Sequence, residues 1–285
     1  MTLNNPANRP ILITGCSSGI GRCVAEGLQA RGYVVYPTAR KWEDVEDLKA
    51  NGFDALQLDL TNSSSIKTAV ELMLERTRGR IYGLFNNGGF GQPGAVEDLS
   101  RDVLREQFEV NFLGTHELTC HVIPAMRAQG FGRIIQNSSM LGFIALKYRG
   151  AYNASKYALE GLTDTLRMEL KGTGIFVSLI EPGPIKSRFR ENAYAAFKRN
   201  IDAEKSTHRT IYQSIEKRLG TTKPDPFTLP ANAVLKKVLH ALESARPKAR
   251  YYVTFPTYVF ALLQRILPSS TLDRVLIRTS SLENR

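Results

Sequence analysis

Short β-branched runs alternate with amphipathic stretches through the first two-thirds of the chain. The runs Ile11–Thr14, Tyr33–Thr38, Ala55–Leu60, Ile81–Asn86, Arg133–Ser138 and Ile175–Glu181 read as strands. Helical periodicity fits residues 20–31, 42–51, 62–78, 100–129 and 151–171 between them. Strand and helix repeated at this spacing predict one parallel sheet with helices on both faces, a doubly wound α/β fold. Ligands of such sheets bind outside the carboxyl ends of the strands, so candidate chemistry belongs just after each one.

The rhythm breaks after residue 185. A polar, helical segment then runs to the Pro-rich KPDPFTLP at 223–230. An insertion of this length beside a ligand edge reads as a substrate-covering lid, over about 186–229. A helix at Ala231–Ser244 and a last strand in RYYV, 250–253, complete a main unit of 9–255, leaving 256–285 as a C-terminal extension.

Composition narrows this picture. With 285 residues, 42% hydrophobic and 23% charged, the chain suits a single large globular domain. No run approaches the roughly 20 apolar residues of a membrane-spanning helix. The opening MTLNNPANRP has neither a basic nor an apolar signal region, and three cysteines (Cys16, Cys23, Cys120) form no disulfide framework. A cytoplasmic location, with the cysteines as small buried residues, is the expectation.

The net charge of +11 is spread along the chain, with two enriched regions: 186–218 carries nine Lys/Arg against four Asp/Glu, and 246–285 seven against two. Neither has a nucleic-acid motif, so the reading is a solvated basic surface without a nucleic-acid partner. YVFALLQRIL at 258–267, followed by the basic TLDRVLIR at 271–278, is too short to span a bilayer. Packing against the domain or a neighbouring subunit is favoured; a basic amphipathic segment can also make peripheral contact with anionic lipid.

The first candidate chemistry is ILITGCSSGIGR, 11–22, a strand, a glycine-rich turn and a helix start. Gly15, Gly19 and Gly21 permit close backbone approach, and with Ser17, Ser18 and Ile20 they bring a helix N-terminus to a pyrophosphate. At the end of the second strand, where an acidic residue would bind the ribose hydroxyls of NAD, the chain has Ala39, Arg40 and Lys41. A guanidinium suits a 2′-phosphate, so Arg40 predicts NADP(H). Asp59 and Leu60 suit the adenine, and FNNGG (85–89) brings Asn86 and Gly88 to the same ligand.

GAYNASKYALEG, 150–161, places two tyrosines beside one lysine. On a helix Lys156 shares a face with Tyr152, four residues away, whereas Tyr157 points elsewhere and is left to packing. A nearby ammonium is expected to lower the pKa of Tyr152, making it a general acid for a carbonyl. The fifth strand ends in SSM, where Ser138 or Ser139 offers a hydroxyl to the same substrate oxygen; strand alternation does not choose between them. Asn111 interrupts a predicted helix and its amide suits a water or a backbone carbonyl. HELTCH, 116–121, spaces its histidines five apart, one too many for the H-E-x-x-H zinc motif, so no metal is expected.

TGCSSGIG, NNGG, the asparagine of VNFLGT, the serine pair, YNASK and EPGPIKS together resemble the short-chain dehydrogenase/reductase family over about residues 9–190. The resemblance implies a Rossmann-type fold and a catalytic tetrad of Asn111, Ser139, Tyr152 and Lys156. In it Tyr152 passes the proton, Ser139 orients the carbonyl, Lys156 also binds the nicotinamide ribose, and Asn111 holds a relay water. It further implies that Pro182, Gly183, Ile185 and Ser187 embrace the nicotinamide, and that the protein is a homodimer or homotetramer. NNGG departs from the commoner NNAG, and Ser187 stands where threonine is usual; both are conservative. Arg40 and the long C-terminal part resemble bacterial NADP-dependent aldehyde reductases allied to retinol and 17β-hydroxysteroid dehydrogenases. Apolar residues on both sides of the tyrosine (Leu141, Phe143, Ile144, Leu146, Tyr148; Phe189, Tyr194, Phe197) suggest an apolar carbonyl or alcohol substrate. A complete tetrad argues against a catalytically silent NADP(H)-binding regulator.

Overall fold

The computed structural model describes residues 9–221 and 223–283. Seven parallel strands form one sheet in the order β3-β2-β1-β4-β5-β6-β7. They are β1 (Pro10–Ile13), β2 (Val34–Ala39), β3 (Leu56–Gln57), β4 (Gly83–Asn86), β5 (Gly132–Asn137), β6 (Ile175–Glu181) and β7 (Arg250–Tyr252). The chain winds outward from β1 to β3, then returns to place β4 on the other side of β1. That reversal opens a crevice outside the carboxyl ends of β1 and β4.

Alternation along β1 assigns its side chains to two cores. Ile11 and Ile13 pack with Val24 and Leu28 of α1 (Gly19–Gln29), Val45 and Leu48 of α2 (Trp42–Ala50) and Val234 and Val238 of α9 (Asn232–Glu243). Leu12 faces the opposite layer, with Ile66 and Met73 of α3 (Ser63–Arg76) and Leu118, Val122 and Met126 of α5 (Gly114–Gln129). The remaining helices are α4 (Arg101–Phe108), α6 (Gly150–Glu169), α7 (Phe189–Asn200), α8 (Arg209–Gly220), α10 (Phe255–Ile266) and α11 (Ser269–Glu283).

The doubly wound parallel sheet is as expected; the differences are local and have local causes. β3 ends after Gln57 because Asp59 turns the chain, its Oδ1 accepting from the Thr61 N–H (2.9 Å) and hydroxyl (2.8 Å). The helix expected over 100–129 is divided by a π-helical turn at Glu109–Leu113, centred on Asn111. α7 and α8, in the segment expected to form a lid, have a core of their own: Phe197, Tyr212, Ile215 and Leu219 pack against Ala95, Leu99 and Ala151. The Tyr212 hydroxyl accepts from the Ala95 N–H (2.9 Å) and donates to the Asp98 carboxylate.

The C-terminal helices lie against the domain, Phe260 of α10 and Leu276 of α11 burying themselves beside Met140, Leu141, Ile144 and Leu146. No helix among the described residues is long and apolar enough to cross a membrane. Of the cysteines only Cys16 is buried, with its thiol pushed up to about 12 by that burial; Cys23 is half-buried and Cys120 exposed, because both lie on outward-turned parts of their helices.

Candidate active site

The glycine turn between β1 and α1 is closed from both sides. Gly15 has φ +70°, and a Cβ there would stand 2.8 Å from the Gly88 Cα. A Cβ on Gly21 would stand 2.3 Å from the Gly15 carbonyl oxygen, so the helix can begin this close to the turn only without a side chain. Ser18 is extended and precedes the helix; Ser17 is exposed. The first helical bond runs from the Arg22 N–H to the Ser18 carbonyl (3.3 Å), so the amides of Gly19, Ile20 and Gly21 have no acceptor within the helix. This is an anion-binding geometry.

The residues expected around that turn surround it unequally. Arg40 is exposed at the end of β2, and its carbonyl accepts from the Gln57 amide (3.1 Å). Leu60 is buried, and its Cδ1 would be 2.9 Å from a Cβ on Gly88. Asp59 spends one carboxylate oxygen on its own Thr61 turn. Asn86 directs its amide to the Thr119 hydroxyl of α5 (2.8 Å), since strand alternation turns it towards that layer. The next residue, Asn87, holds the glycine turn instead: its Nδ2 donates to the carbonyls of Thr14 (2.9 Å) and Gly15 (3.2 Å), and its Oδ1 accepts from Asn137 (2.9 Å). Asn87 is not among the residues expected at the site from sequence; its place one residue beyond a buried strand end is the available signal.

The second cluster lies where β5 meets α6. Lys156 is buried and its Nζ donates to the Asn137 carbonyl at 2.7 Å. Asn111, also buried, accepts from the Phe90 N–H (3.1 Å) and donates to the Phe90 carbonyl (2.9 Å) and the Ser155 hydroxyl (3.1 Å). The π turn widens the helix at this point, which presents the amide to both the 89–91 loop and α6. A Cβ on Gly89 would meet Asn111 Oδ1 at 3.0 Å and Lys156 Nζ at 4.0 Å, so these groups converge on one glycine.

The serine pair separates by side. Ser139 is the hydrogen-bond partner of the Tyr152 phenol and its Oγ accepts from the Leu141 N–H (3.1 Å). Ser138 lies against Glu160 instead. Burial pushes the Tyr152 phenol up to about 12, against the smaller downward pulls of the Ser139 hydrogen bond and the Arg149 charge. This reverses the expected direction: Lys156 Nζ is 5.8 Å from the Tyr152 ring centre and spends itself on Asn137, so desolvation wins. Lys156 itself is pulled down to about 8 by burial, opposed by the Glu160 carboxylate. Tyr157, expected to pack, is 43% exposed on the outer face of α6.

Loop 182–187 closes the crevice. The Pro182 carbonyl accepts from the Met140 N–H (2.8 Å), and Gly183 has no room for a Cβ, which would meet Thr254 Oγ1 at 2.2 Å. Ile185 bridges to Leu229, and the Ser187 Cβ would be 2.9 Å from one on Gly19. The loop thus reaches back over the glycine turn. Phe189, the first residue of α7, stacks edge-on to Tyr152 with ring centres 5.3 Å apart.

Behind the site Arg250 of β7 ties α6 to the sheet, pairing with Glu160 (3.1 Å), Asp164 (2.7 Å) and the fully buried Glu181 (3.1 Å). Burial, and then the nearby Glu160, hold the Glu181 carboxyl well above the usual range. Among the described residues no group of three or more His, Cys, Asp or Glu is placed to hold a metal.

Known proteins share the sequence and fold described above. Residues 9–197 match the short chain dehydrogenase family. The chain is 42% identical over 268 residues to the uncharacterized oxidoreductase YbbO of Escherichia coli K12, covering 94% of each. It is 32% identical over 276 residues to the NADPH-dependent 3-dehydrocapnine reductase of Ornithobacterium rhinotracheale, covering 94% of this chain and 95% of that one. The crystal structure of a short-chain dehydrogenase from Streptomyces avermitilis superposes with a TM-score of 0.74 at 27% identity, over 96% of this chain and 94% of that one. The glycine turn, the β4 and β5 strand ends and the Tyr152 helix all fall within the matched span, and the chain belongs to the short-chain dehydrogenase family of oxidoreductases.

Proposed function

We propose that the protein is an NADP(H)-dependent reductase of an apolar aldehyde or ketone, interconverting it with the alcohol. The observation that carries the reading is the Tyr152 phenol: Ser139 is its hydrogen-bond partner, and it stands one helical turn from the buried Lys156. The crevice fits the dinucleotide: free amides at the start of α1, a glycine turn with no room for side chains, and a cationic Arg40 where a 2′-phosphate would lie. When bound, NADP(H) supplies or takes up the hydride.

The chain's own residues handle the proton and the geometry. The Tyr152 phenol, pushed up to about 12, is protonated at neutral pH as any phenol is, which is the form that donates to a carbonyl oxygen gaining negative charge. Ser139 binds the same oxygen and orients it. Lys156, charged below about pH 8, places a positive charge beside the phenol as the proton leaves. Asn111 holds the Phe90 backbone and Ser155, fixing the loop and helix between which the reaction occurs. Met140, Leu141, Ile144 and Leu146, backed by α10 and α11, offer an apolar wall against Tyr152 that suits a hydrophobic carbonyl. We take 9–255 as the catalytic unit and 256–285 as its extension. The exposed face of α6, with Ala154 and Tyr157, is the surface we assign to a second copy.

Tyr152→Phe tests the mechanism. Turnover of a medium-chain aldehyde with NADPH should fall by at least about a thousandfold, with NADPH binding measured by fluorescence nearly unchanged. Retained turnover would refute the role given to Tyr152.

A further inference from the structure

α10 has two apolar faces, and only one is covered. Phe260 and Ala261 are buried, Phe260 in the wall beside Tyr152. Phe255, Tyr258, Leu262 and Ile266 recur at intervals of three and four on the opposite side and are 63%, 49%, 58% and 62% exposed. Phe227, 60% exposed at the end of the lid, stacks on Phe255 with ring centres 5.4 Å apart, so lid and helix share one apolar ridge. The ridge has a basic rim. α10 contains no acidic residue and carries Arg265, which reaches the Tyr252 hydroxyl (3.3 Å); Lys237 of α9 reaches the Tyr258 hydroxyl (3.5 Å). The nearest acid in sequence to Phe227, Asp225, is already paired with Arg190 (2.6 Å).

We propose that this ridge docks the protein on an anionic lipid surface, Phe227, Phe255, Leu262 and Ile266 entering the interface while Arg265 and Lys237 meet the headgroups. An apolar stripe edged by cations is the arrangement that lies in a membrane plane. A second copy is a poorer occupant. A symmetric contact would bring two basic rims together, and five side chains fall far short of the roughly 20–30 residues a side of a stable interface. Docking here sets the wall of the site directly above the bilayer, whatever carbonyl the enzyme reduces.

The test is co-sedimentation of the full chain with vesicles of phosphatidylcholine, with and without phosphatidylglycerol. Wild type should sediment with the anionic vesicles only, and less so as salt is added. Arg265→Gln should weaken binding roughly fivefold, the equivalent of about 1 kcal/mol per interfacial charge. Leu262→Ser with Ile266→Ser should weaken it by more than about tenfold, while the circular dichroism spectrum and melting temperature stay those of wild type. Wild-type protein that ignores anionic vesicles, or a double variant that binds them as tightly, overturns the proposal. So does a double variant that only changes oligomeric state on size exclusion, which would assign the ridge to a second copy.

Discussion

The crevice at the ends of β1, β4 and β5 and the apolar enclosure around it are built on different principles. In the crevice nearly every contact is a directed hydrogen bond between residues close to a strand end: Asn87 to the glycine turn, Asn137 to Asn87, Lys156 to the Asn137 carbonyl. Each has one partner and one geometry. The enclosure, made by the lid, the 140–146 segment and α10–α11, is held by apolar volume and by isolated polar ties such as Tyr212 to Ala95. Its members can be exchanged for others of similar volume at small cost. Chemistry is therefore fixed by identity and enclosure by bulk, and the two should respond differently to mutation.

The largest effect expected from separating them is in the enclosure. Phe260→Ala removes a buried ring from the wall and should cost about 3–4 kcal/mol of stability. It should raise KM for an apolar aldehyde while leaving NADPH affinity alone; a matching loss of NADPH affinity would show that wall and crevice are one unit. Next, Gly21→Ala forces a Cβ to within 2.3 Å of the Gly15 oxygen. Cofactor affinity should fall by roughly a hundredfold, about 2.7 kcal/mol, with the lid still folded by limited proteolysis. Arg40→Asp removes a phosphate partner and adds repulsion. It should weaken NADPH binding about tenfold or more and improve NADH; unchanged preference would dismiss Arg40 from cofactor choice.

The smallest effect is a pH profile. Lys156, lowered to about 8, is charged below that pH and neutral above it. Tyr152, raised to about 12, keeps its proton throughout. Carbonyl reduction should thus be level below about pH 8 and decline above it, whereas alcohol oxidation, which needs the phenolate, should rise with pH. The same shift bears on folding. A lysine whose folded pKa is depressed penalises the fold below about 8, and the penalty fades as pH rises towards 10.5.

The crevice was legible in sequence because its parts are local. Three glycines with a forced spacing, a Tyr and Lys one helical turn apart and a serine pair at a strand end can each be read within a dozen residues. What could not be read depends on distant packing. The direction of the Tyr152 shift needed the enclosure of a half-buried ring, which Phe189 and the 140–146 wall decide. The choice of Asn87 over Asn86 at the turn needed the phase of β4. The separation of Ser138 from Ser139 needed Glu160, more than twenty residues on. Phe197 and Tyr194, apolar residues that period alone leaves free either to meet substrate or to pack, lie in the core of the α7–α8 segment.

The π turn at Glu109–Leu113 makes the α4–α5 rod sensitive to counting. Such a turn holds one residue more than the helical turn it replaces. Losing any one of its five residues would let the backbone close into ordinary helix and rotate one arm by about 100° against the other. Asn111 would then miss Phe90 and Ser155, or Thr119 would miss Asn86, even with every other side chain preserved. Val110 and Phe112 should accept substitution far more readily than the loss of a single codon between 109 and 113, which would silence the enzyme through arithmetic rather than chemistry.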